Sequence, residues 1–424
     1  MFEGISKENA SEILSEAKMI LERYRSKDLI LNMSRGKPCP EQIDLSSELF
    51  FSVNPDDCIG EEGVDCRNYG ELSGIIEMKR VFSEILDIPV DKICIGGNSS
   101  LDLMFNTFSR AYTKGLPDSE KPWSKYDSIK FLCPVPGYDR HFAVSEYYGM
   151  EMINIPMLKT GPDMIMVENL VKENPSIKGI WCVPVFSNPD GCVYSDDTVE
   201  RLAKMECAAK DFTIMWDASY KVHSLYDEEI EIANILEECE KYGNSNRALI
   251  FASTSKITHA GAGVVCIGGS KESIKAYLKT ATISTIGYDK INMLRHARFL
   301  KNKAGVLSKM KKHAEILLPK FEMVNEIFSR NLDRYNIAGW TNPRGGYFIS
   351  MNVFPGTAKR VYSLCKEAGV TLTSPGATFP YGYDPEDSNI RIAPTFPSVT
   401  ELSDACEIIS MAVIITAAEV YLNS

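Results

Sequence analysis

Six short apolar runs recur through the middle of this chain: KICIGG (92–97), IKFLC (129–133), IKGIWCVPV (177–185), FTIMW (212–216), ALIFAS (248–253) and GVVCIGG (263–269). They are rich in Val, Ile and Phe. Continuous apolar runs of this length suit strands buried on both faces. Helical patterns lie between most of them. In SDDTVERLAKMECAAKD (195–211), Ser195 is placed to cap a helix, and Asp196 and Asp197 favour its first turn. Val199, Leu202, Ala203 and Cys207 share one face. Strands alternating with helices imply an α/β unit around a mostly parallel sheet. The ends of the chain differ. Residues 1–50, with a helical pattern over 7–26, and residues 300–424 are helix-rich with few short strands. They are expected to form a smaller lobe beside a large domain spanning 51–299.

Composition removes several function classes. A net charge of −11 argues against a nucleic-acid binder, because phosphate contacts need clustered Lys and Arg. The twelve cysteines are scattered without a CxxC pair, and the five histidines show no zinc-ligand spacing. The N-terminal stretch MFEGISKENASEILSEAK carries acids where a secretory signal needs a basic and then an apolar run. Thiols without a disulfide framework and no signal imply a reducing, cytoplasmic setting. No membrane association is expected: the apolar run IISMAVIITAA (408–418) is about half the roughly 20 residues a spanning helix needs, and reads as a buried helix of the C-terminal lobe.

In open α/β sheets, ligands sit beyond the carboxyl ends of the strands. After KICI comes GGNSSLDLM, glycines opening a helix, where backbone N–H groups and the positive end of the helix dipole suit a phosphate. After FLC comes PVPGYDRH, which delivers Tyr138 and His141. FSNPDG follows the next run, DASY the one after, and ASTSK the one after that. Successive strand ends thus deliver an aromatic ring, a histidine, Asn188, Asp217, Tyr220 and Lys256. Each has an ordinary reading alone: NPDG is a turn signature, Asp217 a helix cap, Lys256 a solvated lysine. Brought to one crevice, they match pyridoxal phosphate, which needs a Schiff-base lysine, a carboxylate for its pyridinium nitrogen, a phosphate cradle, donors to its ring hydroxyl and an aromatic to stack on.

The same landmarks resemble the class I aminotransferases of fold type I, in family order over nearly the whole chain. NYGELSG (68–74), PGYDRH, NPDG, DASY, STSK, NPRGGYF (342–348) and NIRIAP (389–394) each match a family signature. SRGKP (34–38), GGNSSLDLM and GPDM (161–164) are similar to a bacterial aspartate aminotransferase subgroup of corynebacterial type, itself close to the aminotransferase half of MocR-type regulators. The resemblance implies a three-layer large domain plus a smaller α/β lobe, a homodimer with shared active sites, and exchange of an amino group between an amino acid and a 2-oxo acid, aspartate and 2-oxoglutarate foremost, by a ping-pong mechanism. It implies roles as well. Lys256 would carry the cofactor and shuttle the proton, Asp217 would hold the ring nitrogen protonated, and His141 would brace Asp217. Asn188 and Tyr220 would bond the ring hydroxyl, and Tyr138 would stack on the ring. Gly97, Asn98, Ser99, Ser253 and Ser255 would cradle the phosphate, with Tyr69 reaching it from the neighbouring subunit. Arg391 would clamp the substrate α-carboxylate, with Asn188 beside it.

One departure stands out. The family usually places an arginine seven or eight residues after the lysine, to pair with the phosphate. Here those positions are Gly263 and Val264, so His259, another basic residue or neutral donors must serve. A dicarboxylic substrate also needs a second cation. Arg35, beside Gly36 in MSRGKP, is the first candidate, Lys37 a weaker one, and Arg295 a third. Two other readings are carried: a β-lyase or related reaction on the same scaffold, and a cofactor-sensing regulator. The regulator would need a DNA-binding winged helix ahead of SRGKP, where residues 1–33 offer one helix.

Overall fold

The computed structural model describes residue 2 and residues 4–424. The apolar runs form strands Ile93–Ile95, Lys130–Val135, Ile177–Cys182, Thr213–Asp217, Ala248–Ser253 and Val265–Gly268. Across the main sheet their order is Ile93–Ile95, Val265–Gly268, Ala248–Ser253, Thr213–Asp217, Ile177–Cys182, Lys130–Val135, then Glu151–Leu158 and the two-residue Gly161–Pro162. The five strands from Ala248–Ser253 to Glu151–Leu158 pair in parallel; Val265–Gly268 runs antiparallel to both its neighbours. Glu151–Leu158 is the strand that the apolar runs do not announce. It lies towards the sheet edge and buries only Met152 and Ile155, with exposed and half-buried positions between and beside them instead of a continuous apolar run.

Alternation along the strands builds two apolar layers. Ile180, Ile214, Trp216, Ile250 and Cys266 face helices Ile76–Leu86, Met164–Glu173, Asp196–Lys204, Ile235–Lys241 and Lys290–Leu300. Phe131, Trp181, Met215, Phe251 and Ile267 face helices Ser100–Thr113, Asp139–Tyr147 and Lys271–Ser284. The result is three layers, helices on both faces of a mostly parallel sheet. The strand period of two also aims the functional residues. Met215 faces the second helix layer and Trp216 the first, so Asp217 turns back towards the layer that contains helix Asp139–Tyr147.

Helix Asp196–Lys204 is capped by Ser195, whose hydroxyl accepts from Thr198 N, but it ends seven residues before the helical pattern does. The chain has other partners there. The Arg247 guanidinium takes the carbonyls of Ala203 and Met205, and Ala208 N–H bonds Val171 O, which leads the chain towards strand Thr213–Asp217.

A third core gathers Phe2, Ala17, Leu21, Leu31, Met33 and residues from Leu317 to Ala418. It holds helix Lys7–Arg25, an antiparallel sheet of Ala338–Trp340, Ile349–Val353 and Asn389–Ile392, and the parallel pair Leu31–Asn32 with Val370–Thr371. Helix Lys303–Leu332 joins the cores: Val306 and Met310 pack into the large one, Leu317 onward into this one. The C-terminal apolar run lies in helix Val399–Asn423, which is long and apolar enough to cross a membrane. Here its residues from Ile408 to Ala418 are all buried, against Lys7–Arg25 and Lys303–Leu332.

Candidate active site

Asp217 ends its strand 5% exposed. Its Oδ2 lies 3.1 Å from His141 Nε2, and its Oδ1 accepts from Ser219 N at 3.1 Å. A carboxylate only accepts, so Nε2 carries the proton. Burial alone would raise the Asp217 pKa. The His141 hydrogen bond and charge, the Ser219 hydroxyl and the nearby Lys256 charge outweigh it, and the carboxyl is held below its ordinary value. The His141 ring stacks on Trp181, centroids 4.2 Å apart and 6° from parallel, and the Tyr138 ring meets it edge-on at 4.9 Å. Trp181 Nε1–H is taken by Ser145 Oγ at 3.0 Å, so the stack is pinned from behind.

Lys256 lies three residues past strand Ala248–Ser253, half-buried. Its Nζ is 4.9 Å from the centre of the Tyr220 ring and 5.8 Å from that of Tyr347. Burial raises the Tyr220 phenol pKa, with the Asp217 charge adding to it. The small hydroxyl residues around the lysine divide their work. Thr254 is fully buried, and its Oγ1 accepts from Val264 N. Ser253 and Ser255 are half-buried and join through their hydroxyls at 2.8 Å.

Gly263 explains the missing arginine. A Cβ there would sit 2.5 Å from Ser255 Oγ and 2.9 Å from Ser255 N, so the position has no room for any side chain. Val264 is buried and paired with Thr254. Of the basic candidates, His259 is buried against the Phe50 ring, centroids 4.8 Å apart. Arg295 Nε is buried without a hydrogen-bond partner.

Gly97, Asn98 and Ser99 lie between strand Ile93–Ile95 and helix Ser100–Thr113. Ser99 caps that helix by accepting from Asp102 N, and Asn98 reaches Gly261 O at 3.5 Å. The helix N-terminus and the Lys256 loop are therefore neighbours. Tyr138 ends the Lys130–Val135 connection, and burial pushes its phenol up to about 12. Asn188 is buried in the NPDG turn.

Arg391 joins these groups from the other lobe. It is 7% exposed, donating from Nη1 to Asp139 Oδ1 at 2.9 Å and Asn188 Oδ1 at 3.5 Å, and from Nε to Thr373 Oγ1 at 3.3 Å. Its guanidinium lies over the Phe348 ring. Nη2 makes no hydrogen bond among the described residues. The Thr373 hydroxyl in turn donates to Ser34 O, which ties the N-terminal segment to the arginine. Gly36 packs against the Phe348 ring that lies under the guanidinium, and a Cβ there would lie 2.4 Å from Phe348 Cζ.

The other candidates lie further out. Arg35 is exposed and forms no ion pair among the described residues, and Lys37 lies over the Phe396 ring. Tyr69 is 80% exposed, in a loop whose Asn68 and Gly70 carbonyls are held by Lys290 Nζ. Sequence reasoning missed Trp181, Asp139, Thr373 and Tyr347. Tyr347 stood in plain view inside NPRGGYF, whereas Trp181 reads as one more apolar strand residue.

The donor set fits pyridoxal phosphate: a buried carboxylate kept charged by a braced histidine, a lysine between two phenol rings, and serine hydroxyls beside a helix N-terminus. Comparison with known proteins agrees. The family model described as aspartate amino-transferase matches residues 5–424. The aspartate aminotransferase of Corynebacterium glutamicum is 47% identical over 408 residues, 96% of this chain and 94% of that one. The crystal structure of an aspartate transaminase from C. glutamicum superposes with a TM-score of 0.96 at 46% identity, covering 98% of each chain. The α-aminoadipate aminotransferase of Thermus thermophilus, solved with N-(5'-phosphopyridoxyl)-L-leucine, shares the fold, with a TM-score of 0.73 at 17% identity over 95% of each chain. On these findings the chain belongs to the aspartate aminotransferase family of pyridoxal-phosphate-dependent transaminases of fold type I.

Proposed function

We propose that this aminotransferase takes the amino group of L-aspartate and passes it to 2-oxoglutarate in two half-reactions. The site residues are those gathered around Lys256, Asp217 and Arg391. The observation that carries the reading is the Asp217–His141 pair, a carboxylate held ionised in a buried setting beside a lysine. Bound pyridoxal phosphate supplies an electron sink and carries the amino group between the half-reactions. Asp217 would keep the ring nitrogen protonated, with His141, stacked on Trp181, keeping Asp217 aimed. Asn188 and Tyr220 would hold the ring hydroxyl, and Tyr138 would supply the aromatic surface for the ring. Gly97, Asn98, Ser99, Ser253 and Ser255 would hold the phosphate by neutral donors and the helix dipole. Arg391 binds the substrate α-carboxylate through its planar fork, with Nη2 the arm its protein partners leave over. Lys256 Nζ removes the proton from the substrate Cα; a positioned base contributes about 10²–10⁴-fold.

Aspartate as donor rests on the activity named for the C. glutamicum relative. Arg35 is assigned to the distal carboxylate, with Arg295 as the alternative. The assembly is assigned as a homodimer in which Tyr69 reaches the partner's phosphate site. Its 80% exposure, and the exposure of Phe50, Phe51 and Ile286, supports an uncovered face. Residues 51–299 are taken as the large domain and 1–50 with 300–424 as the small one, with the first turns of helix Lys303–Leu332 belonging to the large core. The free cysteines support a reducing, cytoplasmic setting. The test is a rapid-mixing absorbance scan of the holoenzyme with each amino acid in turn. Aspartate should bleach the cofactor band fastest, and 2-oxoglutarate should restore it. Ammonia and pyruvate released with no lasting bleach of the band would mean lyase chemistry instead.

A further inference from the structure

Behind Lys256 lies a buried polar group that the chemistry above does not use. Gln42, on the short helix Pro40–Asp44 just after the Arg35–Gly36 segment, is fully buried. Its Oε1 accepts from Cys39 N at 3.2 Å and faces Cys39 Sγ at 3.6 Å. Its Nε2 lies 3.0 Å from His313 Nδ1 and donates to Tyr347 Oη at 3.0 Å. The backbone N–H of Cys39 must face an oxygen, so the amide has one orientation, and both protons of Nε2 point at His313 and Tyr347. His313 Nδ1 is then an acceptor. Nε2 must carry the ring proton, and it donates to Ile257 O at 3.1 Å, the carbonyl of the residue that follows Lys256. Burial holds the His313 pKa down at about 4, so the ring is neutral near pH 7. Tyr347 is one of the two rings that flank the Lys256 amine.

We propose that Gln42 is a positioning residue for Lys256. Through His313 it selects the tautomer that holds the lysine loop, and through Tyr347 it sets one wall around the amine. The seating of the N-terminal segment and the setting of the lysine are thereby one unit. This rests on Lys256 as the cofactor lysine. Every hydrogen-bonding site of a buried amide is used here, so loss of the side chain frees the His313 proton to move to Nδ1 and release Ile257 O.

The test uses the holoenzyme of Gln42→Met, which keeps length and bulk. Three readouts apply: steady-state kinetics with aspartate, the pH midpoint of the visible absorbance of bound pyridoxal phosphate, and borohydride reduction with peptide mapping. The expected result is a kcat lowered about tenfold with KM within about twofold, as for a misplaced reacting group. The absorbance midpoint should move by about half a pH unit or more. In a His313→Phe, Tyr347→Phe background the same substitution should add little, because both paths from the amide are already cut. A lower melting temperature with unchanged kcat and midpoint overturns the proposal, as do fully additive effects. Should Gln42→Met not fold, Tyr347→Phe, which removes only a hydroxyl, must still move the midpoint; an unchanged midpoint there overturns it too. Borohydride label on a lysine other than Lys256 would instead bring down the site assignment, and this inference with it.

Discussion

The floor and the rim of the site are built differently. At the floor, Asp217 ends a central strand, bonds His141 and Ser219, and lies behind a ring that stacks on Trp181. At the rim, the backbone of the Arg35 segment is tied down, with Ser34 O to Thr373 and Met33 N to Thr371 O, yet the Arg35 side chain extends into solvent without an ion pair among the described residues. On the proposed function, the floor serves steps that every amino acid shares, and preorganised charge there costs nothing at the moment of reaction. The rim, in the proposed reading, meets the part of the substrate that varies. An exposed charge gains its full strength only when a ligand excludes water from it.

That contrast orders the expected effects of substitution. Lys256→Ala should retain the fold by circular dichroism and lose transamination by about 10⁴-fold or more, because base and attachment point go together. Asp217→Ala should lower kcat by about 10²–10³-fold, the scale of a lost preorganised electrostatic contact. Near-normal turnover would reduce Asp217 to a turn-capping residue for Ser219 and erase the distinction between floor and rim. Arg35→Leu should leave alanine turnover nearly unchanged and weaken aspartate by roughly 1.5–3 kcal/mol in kcat/KM, one charge-assisted contact. Equal losses for both amino acids would make Arg35 structural, and no loss would transfer the role to Arg295.

The smallest effect concerns stability against pH. Burial lowers the pKa of His223 to about 3 and of His296 and His313 to about 4. In the unfolded chain these rings titrate near about 6.5. Between about pH 6.5 and 4 the unfolded chain therefore binds protons that the folded chain refuses, and stability falls as the pH drops through that window. Asp190, whose carboxyl burial pushes up to about 7, opposes this, one group against three. Apparent melting temperatures of the cofactor-free protein should fall from pH 6.5 to pH 4.5, and a rise would mean that the histidines are solvated.

Some of this architecture is legible because it is local. Burial on both faces leaves a continuous apolar run, so six strands can be read directly, and with them the residues that follow their ends. Glu151–Leu158 escaped because its exposed positions break the run, and the helix from Asp196 stopped short because Arg247, far along the chain, claims its last carbonyls. The absent arginine after Lys256 was visible as letters. Its cause was not, since the contact between Gly263 and Ser255 depends on how the loop closes.

The order of strand ends, and hence which residues can meet in the crevice, was determined by the sequence alone, because apolar period and turn chemistry act over a few neighbouring residues. Tertiary structure decided the rest. It turned Asp217 towards His141 instead of the opposite helix layer, set Phe348 between Gly36 and Arg391, and brought Gln42 to His313 across 271 positions. Such contacts follow from the packing of whole layers against one another, and no local pattern records which distant side chains that packing brings within about 3 Å.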